Sequence, residues 1–289
     1  MSVTVIGDAF IDMIVPVQGI KPGETHHRKI ITLCGGTANV AVQIAKLGEK
    51  SRFVGKVGND PLGEYFRQNL KLNRVEDLTF VDDENPTGLC TSLVYGNGER
   101  TMVANRGANE YLKKEEVRSC IDEITSSKMV YFSGYSLLSK KNAESILYAI
   151  EECNKQNCKI YFNPGAPNLI KEDFKQIIYD FVDVLILNIE EAKYMTEKNK
   201  IEDIAKSLSE MADTVVITMG EGGCIISKGD EYHHLETEKL GVLDTTGAGD
   251  AFSAGFILGR LRDMNEVKCA RLGNEIAANF LKEKMELLQ

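Results

Sequence analysis

The stretch 244-DTTGAGDAFSAGFILG-259 decides how the chain is read. Two glycines flank Ala248, a carboxylate follows at Asp250, and Phe252, Phe256 and Ile257 then fall at helical spacing. The pattern predicts a helix beginning near Gly249, with Gly255 and Gly259 allowing a neighbour to pack closely. Backbone N–H groups of Gly247, Ala248 and Gly249 would then stand at a helix N-terminus, where the dipole favours an anion. A carboxylate in that cradle repels the anion unless it has a task, and taking a proton from an attacking hydroxyl is such a task. On its residues alone Asp250 could also be a first-turn acid complementing the dipole. No G-x-x-x-x-G-K-[ST] loop occurs, and the first strand does not lead into G-x-G-x-x-G, which disfavours a nicotinamide oxidoreductase.

Outward from this stretch, short β-branched runs alternate with amphipathic segments. "VTVIG", "RFVGKVG", "MVYFSG", "KIYFN", "VLILN" and "TVVITMG" read as strands buried on both faces, and "NAESILYAIEECNKQ" and "IEDIAKSLSEMA" as helices between them. Such alternation predicts one α/β domain over residues 1–289, a mostly parallel sheet flanked by helices on both faces, with ligands at the carboxyl ends of the strands. Two helix-free segments interrupt it, about 12–33 and about 85–105, the second holding the hairpin signal "GNGE". They are expected to pair into a small β-sheet lid over the site.

The chain has 289 residues, 43% hydrophobic and 27% charged, with a net charge of −9 and no large basic cluster, so nucleic acid is not the expected partner. Seven dispersed cysteines without a Cys-x-x-Cys suggest reduced thiols in the cytoplasm. The first residues carry no export pattern, and no window approaches a membrane span.

A second glycine motif, 34-CGGTANVAVQIAKLG-48, places Gly35 and Gly36 before a helix that Gly48 ends, and Asn39 there reads locally as an N-cap. Asp60 before Pro61 reads as N-cap and N1.

In this order, "GDAFID", "GGTANVAVQIAKLG", "VGNDPLG", "RGAN", "LNIEEA", "ITMGEGG" and "DTTGAGDAFSAGF" resemble the motifs of the ribokinase-like (PfkB) carbohydrate kinase family over essentially the whole chain. The resemblance implies ATP- and Mg²⁺-dependent phosphoryl transfer to a hydroxyl of a small sugar, of ribokinase or fructokinase kind. Asp250 would be the base, and Gly247, Ala248 and Gly249 the anion hole. Asp12, Gly35, Gly36 and Asn39 would hold the acceptor, and Arg106 could reach an acidic or phosphorylated one. Asn188, Thr218, Gly220, Gly223 and Asn274 would line the nucleotide, with Glu191 near Mg²⁺ through water. Asp244 and Thr246 match half of the family's monovalent-cation loop, but "NFLKEKMELLQ" lacks the late glycine turn, which argues against strong K⁺ dependence.

Phe10 and Thr37 depart from the ribokinase pattern and point to the fructokinase side. A nucleoside kinase or a 2-keto-3-deoxygluconate kinase shares the implied fold, with Phe10, Tyr111 and Tyr135 as candidate platforms for a base. A non-catalytic sugar or nucleotide sensor is the reading from another class, against which Asp250 speaks. A homodimer through the lid is implied by the resemblance alone.

Overall fold

A computed structural model describes the chain except for residues 1, 22, 97–98, 169–172, 230, 242–244 and 289 and the side chains of 173–174 and 287–288. Asp244 and the centre of the "GNGE" turn therefore lie outside the described residues. The strands are β1 (Ser2–Ile6), β2 (Ala9–Pro16), β3 (Ile31–Gly36), β4 (Lys50–Gly58), β5 (Glu76–Asp82), β6 (Gly88–Val94), β7 (Arg100–Asn105), β8 (Met129–Ser133), β9 (Lys159–Asn163), β10 (Val184–Asn188), β11 (Thr214–Thr218), β12 (Cys224–Lys228) and β13 (Glu231–Leu235). The helices are α1 (Ala38–Lys46), α2 (Pro61–Leu72), α3 (Lys114–Ser119), α4 (Ile121–Thr125), α5 (Lys140–Lys155), α6 (Asp173–Phe181), α7 (Ile189–Thr196), α8 (Ile201–Ser209), α9 (Ala248–Leu261) and α10 (Glu266–Leu288).

Nine strands form one sheet in the order β13-β12-β11-β10-β9-β8-β1-β4-β5, parallel from β11 to β5 and antiparallel at β12 and β13. Its inner strands alternate between two cores: Val130 and Phe132 face one, Met129 and Tyr131 the other, and Leu185 and Leu187 oppose Val184 and Ile186 in the same way. Both faces are covered by helices, which is why these strands are near-continuous apolar runs rather than alternating ones. The edge strands β5 and β13, and β12 between β11 and β13, are not among those apolar runs; β13 is exposed at every residue but Leu235.

The two helix-free segments pair into a second sheet, β3-β2-β6-β7, antiparallel at its outer pairs and parallel between β2 and β6. Register puts Asp12 opposite Leu33 and Cys90, and Cys90 opposite Ala104, so these residues share one face. Arg100 and Met102 lie on that face too, by the period of two, and both line the cleft described below.

Buried hydrogen bonds fasten the crossings between the sheets. Asp8 N–H donates to Thr37 Oγ1 at 3.2 Å and Thr37 N–H to the Asp8 carbonyl at 3.0 Å. Asn109 pairs with both backbone groups of Ala9, accepting at 2.7 Å and donating at 2.8 Å. Asp60 caps α2 as expected, accepting from Gly63 N–H at 2.8 Å with Pro61 at N1, and also takes the Thr87 N–H and hydroxyl at 2.8 and 2.7 Å.

Candidate active site

At the carboxyl ends of the central strands lies a cleft of about 460 Å³. Helix α9 aims its first turn into it. Gly247 is the N-cap in left-handed backbone, φ +86°, and a Cβ there would fall 2.8 Å from the Phe280 ring of α10, so glycine is required twice over. Gly247, Ala248, Gly249 and Asp250 all line the cleft. One expected donor is modified: the Ala248 N–H closes the preceding turn on the Thr245 carbonyl at 3.1 Å, so the cradle of three amides is reduced.

Asp250 is half-buried and accepts a 3.1 Å hydrogen bond at Oδ2 from the Asn39 side chain. Desolvation pushes its carboxyl up to about 7, Asn39 pulls the other way, and the charge of Asp12 adds to the rise. Asn39 is not the N-cap that local sequence suggested. Thr37 holds that place in α1, and Asn39, inside the first turn, points across to α9. Asp12 sits on β2 with its carboxylate over Gly35, where any Cβ would collide with it. Burial raises it to about 6 against the pull of Lys284.

Across the cleft, Asn188 caps α7. Its Oδ1 accepts from Glu191 N–H at 2.9 Å while Glu191 Oε2 accepts from Asn188 N–H at 3.0 Å, a reciprocal capping box. Glu191 nevertheless lines the cleft, and desolvation lifts it to about 7 despite both bonds to Asn188. Glu190 turns outward to Lys193 at 2.8 Å. Thr218, Gly220 and Gly223 border the cleft at the β11–β12 turn, and Asn274 of α10 borders it with its amide 3.4 Å from the Glu236 carbonyl. Among the described residues no group of three or more His, Cys, Asp or Glu is placed to hold a metal.

The cleft thus gathers the expected nucleotide residues and the α9 loop, but not Asp12, Gly35, Gly36, Asn39 or Arg106. Asn39 and Asp12 still reach it, the one by its bond to Asp250 and the other by its charge. The Arg106 guanidinium pairs with Asp8 Oδ1 at 2.9 Å and lies 3.8 Å from Glu110, and it is not among the residues lining the cleft. Asp8 is only 3% exposed, and burial raises its carboxyl against the pull of Arg106. Tyr135 stands in the cleft wall, Tyr111 lies under Lys141 at 5.0 Å, and Phe10 packs beside Gly36.

Two residues escaped the sequence reading. Arg100 at the start of β7 brings its guanidinium against the Thr246 hydroxyl. Lys284 near the end of α10 donates from Nζ to the Thr246 carbonyl at 3.0 Å.

A profile described as pfkB family carbohydrate kinase matches residues 1–284. The ribokinase of Mus musculus is 30% identical over 291 residues, covering 96% of this chain and 88% of that protein. The fructokinase of Salmonella typhimurium is 25% identical over 268 residues, covering 89% and 83%. Among solved structures, the adenosine kinase from Sinorhizobium meliloti superposes with a TM-score of 0.89 at 25% identity, over 97% of this chain and 94% of that one.

Proposed function

The chain belongs to the pfkB family of carbohydrate kinases, and on that premise we propose that it transfers the γ-phosphoryl group of ATP to a hydroxyl of a small sugar seated between the small sheet and α9. The observation that carries this reading is Asp250, a carboxyl tuned to about 7 inside an anion-attracting helix N-terminus and held by a neutral amide. A general base works best with its pKa near the operating pH. In the reaction the acceptor hydroxyl gives its proton to Asp250 while its oxygen attacks the phosphorus in line. Asn39 keeps the carboxylate turned toward that oxygen. The Gly247 and Gly249 amides and the α9 dipole hold the charge gathering on the transferred oxygens.

Asn188, Thr218, Gly220, Gly223 and Asn274 border the nucleotide in this reading. Mg²⁺ would arrive on the phosphates and neutralise them, with Glu191 reaching it through water, which suits an ion that keeps its waters and takes few protein ligands. Asp12, on the cleft face of the small sheet, holds acceptor hydroxyls beside Gly35 and Gly36, and closure of the sheet excludes water. Arg106 pairs with Asp8, so an acid sugar such as 2-keto-3-deoxygluconate would have to share that guanidinium. A nucleoside acceptor is the second reading, favoured by Tyr135, 43% exposed on the cleft wall, and by the likeness to an adenosine kinase.

Val103, exposed on the face of the small sheet opposite to Asp12, suits a homodimer through the lid, which light scattering would test. Seven free thiols accord with a cytoplasmic enzyme; among the described residues no helix is long and apolar enough to cross a membrane.

The test is ADP release with Mg·ATP against ribose, fructose, fructose phosphates, 2-keto-3-deoxygluconate and the common nucleosides. The reading expects turnover on a neutral sugar or a nucleoside. Silence on every acceptor, with ATP still bound, would overturn it.

A further inference from the structure

Helix α10 lays one face along the site. Ala277 and Leu281 line the cleft, and Phe280 lies against Gly247. Residues three and four apart share a helix face, so the next position on this face is Lys284. Its side chain is half-buried, and its ammonium donates to the Thr246 carbonyl at 3.0 Å. The same charge is felt by Asp12 across the site on β2. Arg100 brings a second cation from the small sheet to the hydroxyl of the same threonine.

Thr246 is the residue that the family resemblance joins with Asp244 in a monovalent-cation loop. The described part of that loop does not fit a potassium ion. The carbonyl oxygen such an ion would take is already bonded to an ammonium of equal charge, with a guanidinium close by. An ion added at that oxygen would meet like charge at contact range, and in a half-buried site screening is weak.

The bonded oxygen also matters for the chemistry. A peptide unit is planar and trans, so the Thr246 carbonyl and the Gly247 N–H point in opposite directions as one rigid piece. Fixing the carbonyl fixes the amide that opens α9. We propose that Lys284 is a built-in monovalent cation, a positioning residue whose ammonium holds the Thr246–Gly247 peptide for phosphoryl transfer and makes the enzyme independent of potassium. This rests on the kinase reaction proposed above.

The experiment compares wild type, Lys284→Met and Lys284→Arg in buffers whose monovalent cation is tetramethylammonium, with and without KCl or NH₄Cl. Wild-type turnover should change less than about twofold on adding potassium. Lys284→Met, which keeps the length and loses the charge, should lose about 10- to 100-fold in kcat, the scale of a misaligned anion-hole donor. Potassium or ammonium should restore most of it saturably, and Lys284→Arg should retain more activity than Lys284→Met without added cation. Binding is read apart from turnover: a cation that binds the folded protein raises Tm by mass action, so potassium should raise the Tm of Lys284→Met and not that of wild type.

Wild type activated about tenfold or more by potassium would overturn the assignment. So would a folded Lys284→Met as active as wild type without potassium, or one whose loss no monovalent cation repairs. If Lys284→Met does not fold, the wild-type response decides alone. Absence of turnover on every acceptor would count against the kinase reading, and the Tm comparison would still judge Lys284.

Discussion

Strand β8, at the heart of the large sheet, is buried at all five residues, whereas β7, on the edge of the small sheet, is exposed at all six. The large sheet packs helices on both faces and carries the side of the cleft proposed for the nucleotide, with the α9 loop. The small sheet joins it through buried polar crossings at Asp8, Thr37, Thr87 and Asn109 and through Ala9 and Ile11, which are buried in the second core, and it carries Asp12. A core packed on two sides can hold a helix terminus to a fixed place, and a strand exposed along its whole length is held less firmly. The division suits a reaction in which donor and base are set in advance and the acceptor is enclosed last.

The strongest challenge to this division is Asp250→Asn. It should lower kcat by about a thousandfold or more, while the ATP affinity, measured by calorimetry, stays within about threefold. Equal losses in both would mean that the two sides are not separable.

Next is the crossing at Asp8. Arg106→Met leaves Asp8 buried with the Ser136 hydroxyl, 3.4 Å away, in place of its ion pair, which should cost about 3–5 kcal/mol in urea unfolding. The double variant with Asp8→Asn should recover much of it, and failure to recover would show that Arg106 acts elsewhere.

Smaller effects probe the coupling of Asp12 and Asn39 to the base. Asn39 holds the Asp250 carboxyl down and Asp12 pushes it up. Removing Asn39 as Ala should move the acid limb of the pH–rate profile to higher pH and lower kcat/KM about tenfold near neutrality. Asp12→Asn should move the same limb to lower pH and raise the acceptor KM. Shifts in one direction for both variants would break the assignment.

The smallest effect is on stability. Asp250 rises from 3.8 to about 7 on folding, so between those values the folded chain binds more protons than the unfolded one. The stability this carboxyl contributes is full below about pH 4 and is lost as pH rises through about 7. Asp250→Asn lacks that loss, so its Tm should exceed wild type by about 2–4 °C near pH 8 and converge with it near pH 4. A constant gap across the range would contradict the tuned carboxyl.

What could be read from sequence follows the same division. The inner strands were legible because burial on both faces leaves continuous apolar runs, and α9 was legible because Gly-Ala-Gly-Asp precedes an apolar helix. Strands β5 and β13 were missed because edge position leaves them mixed polar and apolar. The polar pairings were hardest. Asn39 meets Asp250 at a separation of 211 residues, Arg106 meets Asp8 at 98, and Lys284 meets the Thr246 carbonyl at 38. No local pattern announces a long side chain's distant partner, least of all when that partner is a backbone oxygen. For Asn39 the local pattern suggests an N-cap, a place the structure gives to Thr37.

The central claim is that Asp250 accepts the acceptor's proton. Its most direct test is the pH dependence of kcat/KM for the acceptor that turns over, followed from about pH 5 to about pH 9, since this profile reports the ionisation of the free enzyme. The account predicts an acid limb with its midpoint near 7, absent from the residual activity of Asp250→Asn. A wild-type profile flat through that range, or a limb that survives in the variant, would contradict it.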